Sequence, residues 1–511
     1  MGNCLTYHYD PQRSGATVGP SGDATSVKAW IKYNTINLQA TVRATPLVIE
    51  GWQIKTGPHA GETHTLVFVA TSSNEVLAFA EDDLFAGKST PIWSQQLGPA
   101  LNKRGSNLAP PIGVSSTPVI DLTHQQLFVI ALQDDGHGNG VYHIYGLDLN
   151  TGSILQNSVI HDSGAAGRPV FDGTLQDQRG ALNLVGDRVY ATFADFFAND
   201  KGAYRGWVVG CQIDHLNDQL FFPLTTTVLG GGAWGPGGVA AALDATLYVA
   251  TGNAPNATAQ YWAQFAPGGS HQNQHPGDIG DYFEAVVRLG VLPPPRKGLG
   301  VLDWYIPTNA QQLTAQDLDL GGSSVMLLPA LAGRKLAITT GKDGDVYLLD
   351  SQHLGRWGGE LQRLHVFNAG AGSKSAPAHF LSSSGQHYVF VTGQGQPGLV
   401  AYKVAVSAGK ASLVQAWQAG INFGDAPGSP LVARVSQTSD AALVWVASPR
   451  IGASPALLAF NALDGTLVYD SSSRSSQDAL GPIPHFAPLT GAGKSVFVGT
   501  ITGIACYGPP A

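Results

Sequence analysis

Two aspartates one residue apart mark the stretch QDLDLGG, in which Asp317 and Asp319 precede two glycines and an apolar run. Side chains alternate along a strand, so this spacing predicts that both carboxylates point to the same face. Two carboxylates on one face could hold a hard metal ion and act as a general base. They could equally be turn residues that border a buried strand. The partners that the rest of the chain supplies decide between these interpretations.

Those partners are positioned by a unit that recurs along the chain. Each copy opens on small residues and an apolar strand, and two further short strands follow. Six openings share this form: ATPLVIE (Ala44–Glu50), STPVID (Ser116–Asp121), SSVMLLP (Ser323–Pro329), SAPAHF (Ser375–Phe380), GSPLVA (Gly428–Ala433) and HFAPLT (His485–Thr490). ALNLVGD (Ala181–Asp187) and GGVAAALD (Gly237–Asp244) open two more copies without the proline. Eight copies of a small β unit that cannot bury its own face indicate a β-propeller.

A fourth strand with a tryptophan follows several copies, as in IWSQQ (Ile92–Gln96), LDWYIP (Leu302–Pro307) and QAWQAG (Gln415–Gly420). The eighth copy ends too near the C-terminus to have one, and VKAWIKY (Val27–Tyr33) looks like the missing strand. We therefore predict an all-β fold. It is one eight-bladed β-propeller domain over residues 1–511, closed by an N-terminal strand that completes the last blade.

Composition narrows the class of protein. Glycine is abundant (64 of 511 residues) and charged residues are few (13%), which is typical of short strands joined by tight turns. The net charge of −8 gives no basic face for nucleic acid. No apolar run approaches the roughly 20 residues that cross a bilayer. The three cysteines form no CxxC or CxxCH pattern, so the chain encodes neither a zinc pair nor a covalently attached haem.

Four stretches carry a resemblance to a known family: YRGWVVG (Tyr204–Gly210), GGGAWGPGG…LYVATGN (Gly230–Asn253), QDLDLGG (Gln316–Gly322) and GKDGDVYLLD (Gly341–Asp350). Together they resemble the quinoprotein alcohol dehydrogenase-like propellers, in a branch without haem. The resemblance implies a metal-assisted dehydrogenase that uses pyrroloquinoline quinone (PQQ) to oxidise an alcohol or sugar, with a separate electron acceptor. It also implies a periplasmic or secreted protein, although no signal peptide is visible and a cytoplasmic location stays open.

The resemblance assigns roles to five positions. Trp234 falls where the family stacks the quinone, and Asn253 where an amide binds Ca²⁺ or a lanthanide ion. Asp317 falls at the catalytic base, which also contacts the metal. Asp319 falls where some members add a carboxylate for a lanthanide. Lys342 falls where a cation bonds the quinone oxygens and stabilises charge during catalysis.

The chain also departs from the family pattern. The family's glutamate ligand precedes the RGWV stretch, where FANDKGAYRGWV offers only Asp200 as a carboxylate for the metal. The adjacent pair of cysteines that lies over the quinone in many members is missing. A long loop insertion at residues 254–281 is expected to cover one mouth of the ring. Its aromatic residues Tyr261, Trp262 and Phe265 are expected to line a pocket.

Two other functions remain open. In the first, the axial Asp and Lys side chains perform acid–base chemistry without a quinone, as a lyase, cyclase or isomerase acting on a bulky metabolite. In the second, the propeller is a binding scaffold without catalytic activity, and an exposed rim patch takes the place of an axial site. Fold kinship alone does not choose among these functions.

Overall fold

The computed structural model describes residues 2–106, 108–164, 167–197, 203–293, 297–368, 370 and 372–510. Within these residues the strands form eight sheets of four or five strands each, arranged in a ring. The predicted eight-bladed β-propeller is therefore confirmed. Within the same residues, no helix is both long enough and apolar enough to span a bilayer.

The strands follow the repeat in chain order. Near the N-terminus lie β1 (Ala16–Val18) and β2 (Ile31–Asn37). Blades one to four contain β3 (Leu47–Gln53), β4 (Thr63–Ala70), β5 (Glu75–Ala80) and β6 (Trp93–Gln96); β7 (Val119–Asp121), β8 (Gln126–Asp134), β9 (Gly140–Asp148) and β10 (Ile154–Val159); β11 (Gln176–Asp177), β12 (Asn183–Val185), β13 (Arg188–Asp195), β14 (Trp207–Gln212) and β15 (Gln219–Pro223); and β16 (Ala240–Ala241), β17 (Leu247–Ala250), β18 (Val286–Val291) and β19 (Leu299–Ile306).

Blades five to eight continue the same pattern. They contain β20 (Met326–Leu327), β21 (Leu336–Thr340), β22 (Asp345–Asp350), β23 (Arg356–Trp357), which pairs with β19 of blade four, and β24 (Gln362–His365); β25 (Ala378–Leu381), β26 (His387–Thr392), β27 (Leu399–Ser407) and β28 (Lys410–Gln418); β29 (Leu431–Arg434), β30 (Ala442–Arg450), β31 (Ala453–Asn461) and β32 (Leu467–Asp470); and β33 (Leu489–Ala492), β34 (Ser495–Gly499) and β35 (Gly503–Gly508). In the part of the chain that the structure describes, four short helices interrupt the strands: α1 (Ala24–Val27), α2 (Glu81–Phe85), α3 (Ala259–Ala263) and α4 (Ala310–Ala315).

The ring closes as predicted, with a shift along the chain. Strand β2 pairs antiparallel with β35, from Ile31 opposite Gly508 to Asn37 opposite Gly503, and so completes blade eight. The closing strand begins later than the predicted segment, because its first residues form α1 and the turn after it. Trp30 in that turn is buried and stacks on Trp445 at 5.8 Å.

Tryptophans of the fourth strands join neighbouring blades. The indole of Trp93 donates to a backbone carbonyl of blade two, and the indole of Trp417 donates to one of blade seven. Each ring lies flat against a glycine turn of that next blade, where a Cβ on Gly152 or Gly465 would approach the ring to 2.4 or 2.6 Å. Only glycine allows this approach, so the recurring NTG and LDG turns and the tryptophans form one packing device.

The N-terminal segment, residues 4–18, lies across the ring and contacts every blade. Its backbone hydrogen-bonds to the inner residues of six blades: Val48, Ile120, Ala241, Leu327, His379 and Val432. Arg13 is fully buried and donates to the carbonyls of Leu182 and Val239 in blades three and four. The hydroxyl of Tyr9 reaches the carbonyl of Gly491 in blade eight. This segment therefore plugs one end of the central channel.

Candidate functional site

A cavity of about 770 Å³ lies where the eight blades meet. Tyr7 of the N-terminal plug contributes to its wall. Each blade or its opening contributes at least one further side chain, among them Thr45, Thr117, Arg179, Trp234, Asp317, Lys374, Asp425 and Phe486. The volume lies within the range of 300 to 1,000 Å³ that is usual for ligand sites.

The structure brings five of the predicted site residues together, and four of them, Trp234, Asp317, Asp319 and Lys342, line this cavity. The ammonium of Lys342 lies 2.9 Å from Oδ1 of Asp317 and 2.5 Å from Oδ2 of Asp319. The backbone nitrogen of Asn253 donates to Asp319 at 2.7 Å, and its side-chain nitrogen donates to Asp317 at 3.3 Å. The same ammonium lies 5.2 Å from the ring centroid of Trp234. The sixth predicted residue, Asp200, lies outside the described residues.

The two aspartates reach this position through turns, so the prediction of strand alternation is wrong. Asp317 follows α4 with a positive φ of 53°, and Asp319 directly precedes a 3₁₀ turn over Leu320–Gly322. The left-handed backbone at Asp317 turns its side chain toward the cavity, where 61% of it is exposed, whereas 7% of the Asp319 side chain is exposed. One carboxylate therefore faces a ligand and the other is enclosed.

Lys342 lies in the turn between β21 and β22, as its KDG sequence predicts. Its backbone nitrogen donates to the carbonyl of Asp319 at 2.9 Å, and Gly344 closes the turn with a φ of 88°. The side chain is turned into the site, and 16% of it is exposed. Burial disfavours its charge, but the carboxylates of Asp319 and Asp317 outweigh burial and raise the pKa of Lys342.

Asp317, the aspartate that faces the cavity, has surroundings that favour its acting as a proton acceptor. Burial and then the neighbouring Asp319 raise the pKa of Asp317 above its usual value, while Lys342 holds it down. A carboxylate with a raised pKa is a better proton acceptor than an ordinary surface carboxylate. Asp317 is therefore the group in this cluster that is best placed to take a proton from a bound ligand.

Glu284 stands behind the cluster, and sequence reasoning missed it. It is fully buried, and its Oε2 accepts the backbone N–H of Leu320 at 2.8 Å. Burial and the charge of Asp319 raise its pKa well above the usual value, so its neutral form is favoured. In the sequence it stands in YFEAVV just before β18, where nothing distinguishes it from an ordinary strand residue.

Trp234 presents a partly exposed ring to the cavity, seated on glycine. A Cβ on Gly322 would come within 2.9 Å of the indole, so a larger residue there would push the ring out of place. Phe486 meets the ring edge-to-face at a centroid distance of 6.3 Å. The guanidinium of Arg179 lies 5.2 Å from the Trp234 centroid and 3.6 Å from that of Phe486. Sequence reasoning missed both Arg179 and Phe486.

The described residues do not form a site for Ca²⁺ or a lanthanide ion. Within the described ranges, no three His, Cys, Asp or Glu side chains gather in a group that could hold a metal. The ammonium of Lys342 occupies the space between the carboxylates of Asp317 and Asp319. The side-chain nitrogen of Asn253 donates to Asp317 at 3.3 Å, so this amide is engaged with the same carboxylate.

The insertion at residues 254–281 packs differently from its prediction. Tyr261, Trp262 and Phe265 contact one another at centroid distances of 5.4 to 6.3 Å, and the hydroxyl of Tyr261 donates to Asp281. Their rings form a small apolar cluster with neighbours such as Phe283. These three aromatic residues are not among the residues that line the axial cavity.

Comparison with known proteins supports the fold. No protein-family model and no curated protein sequence matches the chain. Solved structures match over nearly all of it. The quinohaemoprotein alcohol dehydrogenase of Pseudomonas putida HK5 is 13% identical with a TM-score of 0.62, over 100% of this chain and 80% of that one. The corresponding enzyme of Comamonas testosteroni is 15% identical with a TM-score of 0.58, over 100% and 81%.

A europium-containing methanol dehydrogenase is similar over 99% of this chain and 98% of its own, with 13% identity and a TM-score of 0.63. The chain therefore has the propeller fold of the quinoprotein dehydrogenases, and the fold expected from the sequence resemblance is confirmed. At these low identities, structural similarity shows the fold alone, and the function has to be inferred from the residues of the site.

Proposed function

We propose that the protein is a quinone-linked dehydrogenase of the PQQ type that oxidises an alcohol or sugar in its axial cavity. The observation that carries this proposal is the meeting of Asp317, Lys342 and Asp319 beside the ring of Trp234. These residues come from three separate parts of the chain and meet in a fold shared with quinone-dependent alcohol dehydrogenases. A cavity lined by charged side chains also favours an enzyme over a scaffold.

The residues present fit a quinone. Trp234 offers a flat aromatic face on which a planar ring can stack. Lys342 offers an ammonium beside that face, able to donate to the quinone oxygens. Bound there, a quinone would supply the acceptor for a hydride from the substrate carbon.

The chain's own residues would handle the proton. Asp317 would accept the hydroxyl proton of the substrate, because its carboxylate is exposed to the cavity and has a raised pKa. Asp319 would hold the ammonium of Lys342 in place through their contact of 2.5 Å. Lys342 would then balance the negative charge that develops as the proton leaves, which is the work that the family assigns partly to a metal. A separate electron acceptor would have to reoxidise a bound quinone after each turnover. A location outside the cytoplasm remains a prediction.

One observation favours a second candidate function. The guanidinium of Arg179 and the ring of Phe486 lie against Trp234, so the chain's own side chains take up part of the space beside this ring. If the rest of the cavity takes the substrate alone, Asp317 and Lys342 act as an acid–base pair on a ligand that needs no quinone. That arrangement suits a lyase, cyclase or isomerase.

The two functions are separated by direct binding. PQQ added to the purified protein should quench tryptophan fluorescence and support dye-linked oxidation of an alcohol, and a Trp234→Ala variant should lose the binding. Asp317→Asn should bind PQQ normally but lower the oxidation rate by about 10² to 10⁴. The wild-type rate should rise with pH through the raised pKa of Asp317, since only the carboxylate form accepts a proton. Absence of both PQQ binding and dye reduction would refute the dehydrogenase.

A further inference from the structure

Among the described residues, four cations line the cavity, and two of them have no carboxylate partner at close range. Lys342 is paired with two aspartates, and Lys374 contacts Asp425 at 3.1 Å. Arg43 and Arg179 also line the cavity, and neither makes an ion pair within 4 Å with a described residue, although Asp177 attracts both from farther away. A buried or half-buried guanidinium without an anion is costly, so this pair calls for a partner.

Arg179 is held in a fixed orientation. Its guanidinium lies 3.6 Å from the ring centroid of Phe486 and 5.2 Å from that of Trp234, and Nη2 has no hydrogen-bond partner among the described residues. A stacked guanidinium keeps its faces on aromatic rings, and its N–H groups lie along its edge, in the geometry that pairs with a planar anion. Nη2 of Arg179 is enclosed, so an anion pairs with it only after a small shift of the side chain. Burial lowers its pKa to about 10, so it stays charged at neutral pH.

Arg43, on the side of blade one, is the second arginine of this pair. One terminal nitrogen donates to the carbonyl of Ala109 at 3.3 Å, whereas Nη1 has no partner among the described residues. Arg43 immediately precedes the opening of blade one, and the Asp317 turn lies at the opening of blade five, on the far side of an eight-membered ring. A ligand that reaches both positions would extend across the cavity.

Two acidic side chains share this side of the cavity and must be considered. Burial raises the pKa of Asp177 to about 6, although Arg179 and Arg43 oppose that shift. Asp195 accepts the backbone N–H of Phe197 at 3.0 Å. These two carboxylates moderate the positive potential, and among the described residues Nη1 of Arg43 and Nη2 of Arg179 still have no hydrogen-bond partner.

We infer that Arg43 and Arg179 form a carboxylate-recognition subsite for the substrate. Resting on the proposed function, this defines the substrate class as an alcohol that also carries a carboxylate, such as a hydroxy acid or a sugar acid. The carboxylate binds the guanidinium edges on the side of blades one and three. The hydroxyl to be oxidised then lies toward Asp317. A bidentate guanidinium–carboxylate contact fixes the orientation of such a ligand as well as its affinity.

The test compares matched ligands on the full chain. Gluconate and sorbitol share a six-carbon polyol chain, but only gluconate has a carboxylate. Calorimetry should show that gluconate binds at least about tenfold more tightly than sorbitol, and that salt weakens only the gluconate complex. Arg179→Met and Arg43→Met should each weaken gluconate binding about tenfold or more and leave sorbitol unchanged. Lys374→Met is the control for loss of a cavity charge, because this cation already has a carboxylate partner, and it should weaken gluconate binding much less than either arginine variant does.

The outcomes of this experiment distinguish a carboxylate of the substrate from a carboxylate of the cofactor. If Arg179→Met weakens PQQ binding and leaves gluconate affinity intact, the subsite serves the cofactor and the proposal is overturned. Equal affinities for gluconate and sorbitol overturn it too. If gluconate binds as expected but no quinone binds, the dehydrogenase fails and the subsite stands. Should Arg179→Met not fold, Arg179→Lys keeps the charge but loses the planar fork, and an unchanged gluconate affinity in that variant overturns bidentate recognition.

Discussion

The ammonium of Lys342 is the feature whose removal tests the site most directly. Lys342→Met keeps most of the apolar stem and deletes the charge, which leaves the enclosed carboxylate of Asp319 without its partner at 2.5 Å. Breaking a buried pair in this way costs about 3–5 kcal/mol. The contact with Asp317 adds at most about 1 kcal/mol, since that carboxylate is 61% exposed. Partial exposure of Lys342 screens the pair, so we expect the free energy of unfolding to fall by about 3 kcal/mol.

Urea unfolding at pH 7 measures this loss, with Lys374→Met as the control. Lys374 is as buried as Lys342 (17% against 16% exposed), but its partner Asp425 is 51% exposed, so its replacement should cost less than about 1 kcal/mol. Adding Asp319→Asn to Lys342→Met removes the stranded charge and should recover most of the loss. The reasoning is refuted if the two lysine variants are equally stable or if the second substitution recovers nothing.

Three further predictions concern the metal, the plug and the buried histidines. Lys342→Ala should create a terbium site whose emission Trp234 sensitises, whereas saturable emission from the wild type would contradict the assignment of Lys342 as the resident cation. Arg13→Met should lower the free energy of unfolding by about 3 kcal/mol, since the residue is fully buried with five hydrogen bonds, and a loss below 1 kcal/mol in urea unfolding would contradict this. Burial lowers the pKa of His379, paired with His387 at 3.0 Å, to about 3, so the unfolded chain alone takes up this proton and stability falls as the pH drops below about 6.5. His379→Gln should flatten that slope by about 1.4 kcal/mol per pH unit, and an unchanged slope in unfolding at several pH values would contradict it.

The sequence allowed the fold to be predicted wherever a local pattern encodes a tertiary contact. Trp93 and Trp417 follow their third strands, and the glycine turns that receive them are visible in the next repeats. The N-terminal plug had no such signal. Residues 4–18 form only one short strand, and most of their hydrogen bonds reach blades hundreds of residues away. A segment that is ordered only by a completed ring has no periodicity of its own.

The residues of the candidate site were likewise predictable from the sequence only in part. Lys342 was predictable as a turn residue because KDG encodes a tight hairpin. The geometry of Asp317 was not, because a left-handed turn and a strand can have the same spacing of residues. Glu284 and Arg179 were missed because what distinguishes them is burial next to a charge or a ring, and burial depends on the closed ring. Convergence could be expected only through the family resemblance, since sequence separation gives no distance.

The position of the Lys342 ammonium determines which part of the resembled family's site chemistry this chain can share. In a site that holds a divalent cation, two adjacent aspartates supply negative charge that the ion balances. Here Lys342 already balances it, at 2.9 and 2.5 Å from Asp317 and Asp319. A metal that entered would have to displace a lysine whose charged form both carboxylates stabilise. The same lysine can still balance the charge of a departing proton, so the proposed oxidation requires a cation in this place but does not require it to be a metal. A fixed cation also explains why Asp319 can be enclosed while Asp317 remains open to the substrate.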